Sequence, residues 1–223
     1  MGSYTWDFAA VLARSDLLID GVKGTLKVAG LSLVLGAPLG LVVALLRIAP
    51  NRIVAVAARI YIDFFRSSSQ FILVFWFFYA FPIIAGLDLD ALSAGCLAIA
   101  THFSALFAEV FRSGIGSIGQ GQWDGAKAIG LTRLQTLRYV ILPQGLRRIF
   151  PIFFTQTIEL IKATSFVSAL GFAELSYNAA RVASATYRPL DTFVVVGLIY
   201  FVPIFLASLL ARTFERRFVY LNT

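Results

Sequence analysis

An all-α membrane protein is the fold class this sequence predicts, on three observations. Of 223 residues, 59% are apolar and only 14% charged, and the mean hydropathy is +0.82, outside the range of soluble globular domains. Charges are scarce in several windows of about 20 residues, the length a helix needs to cross a bilayer. Between two such windows lies one polar, patterned stretch, DGAKAIGLTRLQTLRYVILP at 124–143. The net charge of +7 is spread around the apolar windows rather than gathered on a polar domain. That distribution fits membrane topology, with the bilayer as partner, and speaks against a nucleic-acid ligand. The opening MGSYTWDFAAVLARSD has no basic region before an apolar core, so no removable signal peptide is expected. The lone cysteine, Cys96, excludes an intrachain disulfide.

Five transmembrane helices are expected within a single transmembrane domain, 1–223. The first, 22–46, carries Gly36 and Gly40 four apart, which permits close helix approach, and Pro38, which removes a helix hydrogen bond. The second, 53–82, holds Asp63, Arg66, Ser67, Ser68, Ser69 and Gln70 at its middle. At about 1.5 Å per residue it exceeds the hydrocarbon thickness, so its first half is expected near the cytoplasmic surface. The third is 91–110, the fourth 146–172 and the fifth 192–211.

Lysine and arginine set the orientation. With the N-terminus outside, the inner flanks hold Arg47, Arg52, Arg59, Arg112, Lys127, Arg133, Arg138, Arg147, Arg148, Arg212, Arg216 and Arg217. The outer flanks hold only Arg14, Lys23, Arg181 and Arg188. Twelve against four predicts N-terminus outside and C-terminus cytoplasmic. Residues 1–20 are then an extracytoplasmic segment, the 175–190 loop faces outward, and 113–145 is a cytoplasmic loop between helices 3 and 4.

Two short helices are expected in that loop, at 123–129 and 133–141. Trp123, Ala126 and Ile129 fall three apart and would share an apolar face. Asp124 would sit in the first turn, where a carboxylate suits the helix dipole. Gly130 is placed to end the helix in the left-handed conformation, and Pro143 restricts the chain ahead of the fourth span.

Ionisable groups at membrane depth are costly and face protein or water. Glu159 and Lys162, three apart, share a helix face; with Thr164 and Ser165 they would line a translocation path, or else pair to hold helices together. His102 and Glu109 lie seven apart on one helix face. A single histidine cannot supply a metal site, so no metal is expected. His102 is a pathway candidate or a polar packing group, and Glu109 with Arg112 would anchor the loop. Arg66, Ser69 and Gln70 are further pathway candidates, against a snorkelling arginine and serines bonded to their own backbone. Glu174 would cap the outer end of the fourth span at the surface, and the run Phe75–Phe78 with Tyr79 would face lipid or its interface.

Two short helices in a cytoplasmic loop, punctuated by glycine and proline, resemble the coupling helix and EAA motif of type I ABC importer permeases. The likeness is closest to the polar amino-acid (histidine, glutamine and glutamate type) permeases and covers nearly the whole chain. It is carried by Asp124-Gly125-Ala126, Gly130, Val140 and Leu142-Pro143, by Ala108-Glu109-Val110-Phe111-Arg112-Ser113-Gly114-Ile115, by Gly121-Gln122-Trp123, by Ile141-Leu142-Pro143-Gln144 and by Lys162-Ala163-Thr164-Ser165. The chain departs from the family where Asp124-Gly125-Ala126 replaces Glu-Ala-Ala, where Val140 replaces isoleucine, where Ser67-Ser68-Ser69 replaces Gly-Thr-Pro, and where Ala163 replaces aspartate.

The resemblance implies an ATPase-coupling set of Asp124, Gly125, Ala126, Gly130, Leu142 and Pro143. It also implies a substrate pathway drawn from Arg66, Ser69, Gln70, His102, Glu159, Lys162, Thr164 and Ser165. The expected role is a multi-pass permease subunit in a bacterial cytoplasmic (inner) membrane that imports polar amino acids by alternating access. It would work with a homodimer of ATP-binding subunits, a second permease chain (identical or paralogous) and an extracytoplasmic solute-binding protein. The chain has no G-x-x-x-x-G-K-[ST] phosphate loop. The resemblance accordingly makes it no enzyme: it would bind no cofactor, with ATP and Mg held by the partner ATPase. Two alternatives stand beside this reading, a passive channel and a membrane-embedded enzyme using His102, Glu109 or a lysine-activated Ser165.

Overall fold

The computed structural model describes residues 4–219, with side chains to 209. Arg212, Arg216 and Arg217, counted above towards the inner flank, therefore fall outside the described side chains. Every regular element among the described residues is helical. In order they are α1 (Phe8–Leu12), α2 (Ser15–Arg47), α3 (Arg52–Ser67), α4 (Gln70–Phe75), a π turn (Trp76–Ala80), α5 (Phe81–Ala85), α6 (Ala91–Gly116), α7 (Gln120–Ala128), α8 (Arg133–Thr136), a second π turn (Leu137–Ile141), α9 (Leu142–Ala163), a 3-10 segment (Thr164–Leu170), α10 (Leu175–Thr186) and α11 (Pro189–Val219).

Among the described residues three stretches are long and apolar enough to cross a membrane: Ser15–Arg47, Ala91–Gly116 and Pro189–Leu209. The segment expected as one span at 53–82 is instead α3 and α4–α5, broken between Ser67 and Gln70, and it supplies a fourth crossing only if the two helices are taken together. Ser69 takes extended backbone angles at the start of α4, which interrupts the helix. The expected fourth span, 146–172, is helix to Ala163 and 3-10 beyond it. Gln144, Arg147, Arg148, Gln156, Glu159 and Lys162 keep α9 from being apolar all round, the mark of a helix with a polar face rather than one surrounded by lipid.

Both π turns precede a proline. The Phe81 N–H bonds the Trp76 carbonyl just before Pro82, and the Leu142 N–H bonds the Leu137 carbonyl just before Pro143. Proline donates no hydrogen bond and crowds the carbonyl four residues back, and a widened turn accommodates that loss without ending the helix. Pro143 therefore widens a helix that runs on from α8 into α9, where the sequence suggested a boundary. Phe77 lies three and four residues after buried Val74 and Leu73, on the same face, so the run expected to face lipid is divided: Trp76 and Tyr79 are exposed and Phe77 is buried.

The chain forms two compact units. One gathers residues up to Leu35, Ser68–Ala100 and Ile158–Ala207. Its core packs Val11 of α1 and Leu18 of α2 against Leu175, Ala179 and Val182 of α10 and Val196 of α11. Buried Asp191, in the first turn of α11, accepts the Asp7 N–H at 2.9 Å and the Tyr4 hydroxyl, and Arg188 donates to the Thr5 carbonyl at 2.7 Å. These bonds fasten the N-terminal segment.

The other unit comprises Gly36–Ser67, Thr101–Thr157 and the stretch from Ser208. Val43 and Ala44 of α2, Ala58 and Ile62 of α3 and Ala108 of α6 form its core, with Tyr61 and Phe111 packed against it. Tyr61 and Ser104 share a hydroxyl hydrogen bond of 2.7 Å, and the Phe107 ring packs tilted against Phe153 of α9, with centroids 4.6 Å apart.

Candidate functional site

The base of the loop is set by a close approach of α6 and α9. A Cβ built at Gly114 would fall on the Ile149 side chain, so only glycine lets the two helices meet at this depth. Arg148 donates to the Ser117 carbonyl, and Gln144 Nε2 donates to Gln122 Oε1 at 3.1 Å, tying α9 to the end of α6 and to α7. Arg112 grips Glu109 through two nitrogens, at 2.6 and 3.2 Å. This is the pair expected as an anchor near the loop.

α7 starts three residues earlier than the sequence suggested. Asp124 thus sits in mid-helix rather than in the first turn, where it accepts from Gln120 Nε2 at 3.4 Å. The dipole rationale for Asp124 does not hold, because a terminal partial charge acts only within the first turn. The helix ends as Gly130 requires. Gly130 has φ +82°, its N–H bonds the Lys127 carbonyl at 3.0 Å, and the Leu131 N–H bonds the Ala126 carbonyl at 3.1 Å. These two bonds make a Schellman motif. Because helical geometry stops at Ala128, Ile129 leaves the face it was expected to share with Trp123 and Ala126. Ala126 is buried, Trp123 is half-buried, and Ile129 is turned outward.

α8 opens on a capping box the sequence reading missed. Thr132 Oγ1 accepts the Gln135 N–H at 3.3 Å, and Gln135 Oε1 accepts the Thr132 N–H at 2.9 Å. The T-x-x-Q spacing at 132–135 is the local signal for it. Between α7 and α8 runs a groove of about 560 Å³ lined by Gln120, Trp123, Asp124, Lys127, Leu131 and Arg133. In the same loop Ile129, Leu134 and Tyr139 are 77, 74 and 64% exposed, and Leu142 and Pro143 are exposed at the start of α9. Asp124, Gly125, Gly130, Leu142 and Pro143 thus lie on one locally ordered, outward-facing stretch of this unit. Ala126 is the member turned to its own bundle.

The pathway candidates are divided between the units. Arg66 and His102 belong to the second; Ser69, Gln70, Glu159, Lys162, Thr164 and Ser165 belong to the first. Arg66 is exposed in the last turn of α3. His102 is buried with its Nδ1 unpartnered among the described residues. Ser69 starts α4 without a side-chain cap bond. Glu159 and Lys162 form an ion pair with both side chains about half exposed. Thr164 and Ser165 donate to the Ile161 and Lys162 carbonyls at 2.8 and 2.9 Å, so both hydroxyls are committed to their own backbone where α9 tightens into 3-10. No cluster of metal-ligating side chains occurs among the described residues.

Glu174 is not a surface residue. It is fully buried as the N-cap of α10, accepting the Tyr177 N–H at 2.8 Å, the Tyr200 hydroxyl at 3.2 Å and the Thr25 hydroxyl at 3.5 Å. Thr25 Oγ1 in turn accepts the Leu175 N–H at 3.2 Å, and Asn178 donates to the Leu17 carbonyl at 2.9 Å. Burial raises the Glu174 carboxyl above its ordinary range, against hydrogen bonds that favour the charged form. Glutamate is an uncommon N-cap and its partners lie about 150 residues upstream and 26 downstream, so no local signal marks this network.

The glutamate/aspartate import permease protein GltK of Escherichia coli is 31% identical over 222 residues, covering 96% of this chain and 99% of its own. The arginine transport system permease protein ArtQ of Bacillus subtilis is 27% identical over 211 residues, covering 95% of this chain and 96% of its own. A crystal structure of an amino acid ABC transporter matches with a TM-score of 0.88 at 32% identity, over 96% of this chain and 100% of that one. The MetNI methionine ABC transporter, at 21% identity and a TM-score of 0.71, shares the fold. The family described as the binding-protein-dependent transport system inner membrane component matches residues 36–220. The chain belongs to that family: it is a membrane permease component, not an enzyme, of the ABC importer kind.

Proposed function

We propose that this chain is the permease subunit of an ATP-driven importer of polar amino acids, and that its 113–145 loop couples transport to ATP hydrolysis. One observation supports the reading most: an exposed loop that is rigid by its own local bonds, with a Schellman end, a capping box and large apolar side chains turned outward. Such a surface transmits force when seated in another protein, because a rigid element moves its attached helices as one body. Asp124, Gly125, Gly130, Leu142 and Pro143 would contact the ATP-binding subunit, while Ala126 would hold α7 to its own bundle.

ATP binding would draw two such loops together, open the pathway outward to accept solute from an extracytoplasmic binding protein, and reset on hydrolysis. ATP and Mg belong to the ATPase. The likeness to GltK and ArtQ supports amino acids as the substrate class. Two permease chains, N-terminus outside and C-terminus cytoplasmic, would form the pathway in the bacterial inner membrane, crossing it five times if α9 with the segment after it spans. Arg66, His102, Glu159 and Lys162 are the polar groups proposed to line it, with Ser69 and Gln70 at the start of α4. Thr164 and Ser165 would act through backbone shape, given their committed hydroxyls.

Gentle detergent purification from the native host, with mass spectrometry of co-purifying proteins, tests this. Recovery of a phosphate-loop ATPase in two copies per pair of permease chains is expected. Reproducible recovery of the chain alone would instead favour a channel or a membrane-embedded enzyme.

A further inference from the structure

Helix α3 carries three distinct faces. Ala58 and Ile62 are buried in the core of their own unit, beside Tyr61. A second stripe, Ile53, Val56, Ile60 and Phe64, spaced three and four apart, is 80, 48, 64 and 61% exposed. Arg52, Arg59 and Arg66, each seven residues from the next, form a third stripe that also holds Asp63. Arg59 Nε lies 3.5 Å from Asp63, and Arg52 and Arg66 form no ion pair among the described residues. Three arginines against one aspartate leave the helix at +2.

An apolar stripe beside a basic one, on a helix whose remaining face is already packed, suits a membrane interface. Apolar side chains enter the acyl region and arginines stay at headgroup level, where anionic lipids attract them. We infer that α3 is a binding surface for anionic phospholipid, with Ile53, Val56, Ile60 and Phe64 among the acyl chains and Arg52 and Arg59 on headgroup phosphates. A second copy of this chain is the less favoured occupant. A two-fold contact in which α3 meets its own copy would bring two helices of +2 together.

The inference is independent of how the loop couples to ATP. It is tested on the whole transporter, permease with its ATP-binding subunits, reconstituted in phosphatidylcholine with one quarter phosphatidylglycerol. A nitroxide at Ile60→Cys, with Cys96→Ser removing the native thiol, is expected to be accessible to oxygen and shielded from a water-soluble nickel complex. Shielding from both reagents means protein covers the face, and accessibility to nickel means water does; either overturns the inference. Spin-labelled phosphatidylglycerol is expected to associate in preference to spin-labelled phosphatidylcholine, on the order of fivefold per arginine. Arg52→Gln/Arg59→Gln is expected to abolish the preference while Arg52→Lys/Arg59→Lys keeps it. An unchanged preference in the glutamine variant overturns the headgroup assignment.

Discussion

The α7–α8 loop and the Glu174 network show two ways in which this chain orders its polar groups. In the loop, the bonds that shape the helix ends are local, while Gln122–Gln144 and Arg148–Ser117 tie its base to α9. Gly130 turns left-handed to return two N–H groups to the end of α7, and Thr132 and Gln135 cap α8 within four residues. Apolar surface is left facing outward. Around Glu174 the arrangement is reversed: the polar groups are enclosed, their partners come from α2, α10 and α11, and apolar side chains cover them. Helix ends closed by local bonds need few distant partners, whereas an enclosed carboxylate depends on all of its own.

Four substitutions test this contrast, in order of declining effect. Gly114→Val, at the base of the loop, forces Ile149 aside and should cost about 3 kcal/mol, the upper end for overpacking. Ile149→Ala in the same chain should recover part of that loss, measured by thermal unfolding of the detergent-purified protein. No recovery would mean that α6 and α9 do not meet closely at Gly114. Gly130→Val should cost about 1–2 kcal/mol through left-handed strain at a non-glycine residue. It should also reduce ATP-driven uptake in proteoliposomes by well over tenfold while ATPase activity persists. Uptake still tied to ATP in that variant would remove the loop from the coupling role.

Glu174→Gln isolates charge from shape, since the amide keeps an acceptor for the Tyr177 N–H. The folded Glu174 pKa is raised, so its protonated form stabilises the fold fully below the unfolded value near 4.3, and that contribution is lost as pH rises through the folded value. The variant should therefore melt higher than the wild type at pH 7–8, with the gap closing towards pH 4. A gap independent of pH would show that the carboxylate is not desolvated. Gly125→Ala is the mildest change. A Cβ there meets nothing within 4 Å, and replacing glycine in an exposed helix should stabilise α7 by about 1 kcal/mol. Hydrogen exchange of the α7 amides should slow, and uptake should persist.

Parts of the fold were legible from residue order because their causes are local. Composition and apolar windows placed the long helices α2, α6 and α11, three of their six ends within three residues and the other three short by six to eight, since window length and charge need no partner to be read. Gly130 marked the end of α7 because a left-handed position discriminates against every side chain. The outline of the loop followed from the same kind of signal, and its capping box was present in the sequence although unread. The π turns were indicated only in part: Pro82 and Pro143 show that a hydrogen bond is lost, and packing decides whether the helix stops or widens.

What tertiary structure alone decided is which side chains are enclosed. Glu174 looked like a surface cap and is buried, and Phe77 is buried in a run that does not pack inward as a whole. His102 sits buried with Nδ1 unpartnered among the described residues, which no spacing along α6 could indicate. Residue order determines backbone constraints, helix length and charge sign, because these act between neighbours in the chain. Burial, and with it the raised pKa of Glu174 and the close approach at Gly114, depends on distant segments meeting in space, because desolvation is imposed by whatever covers a group.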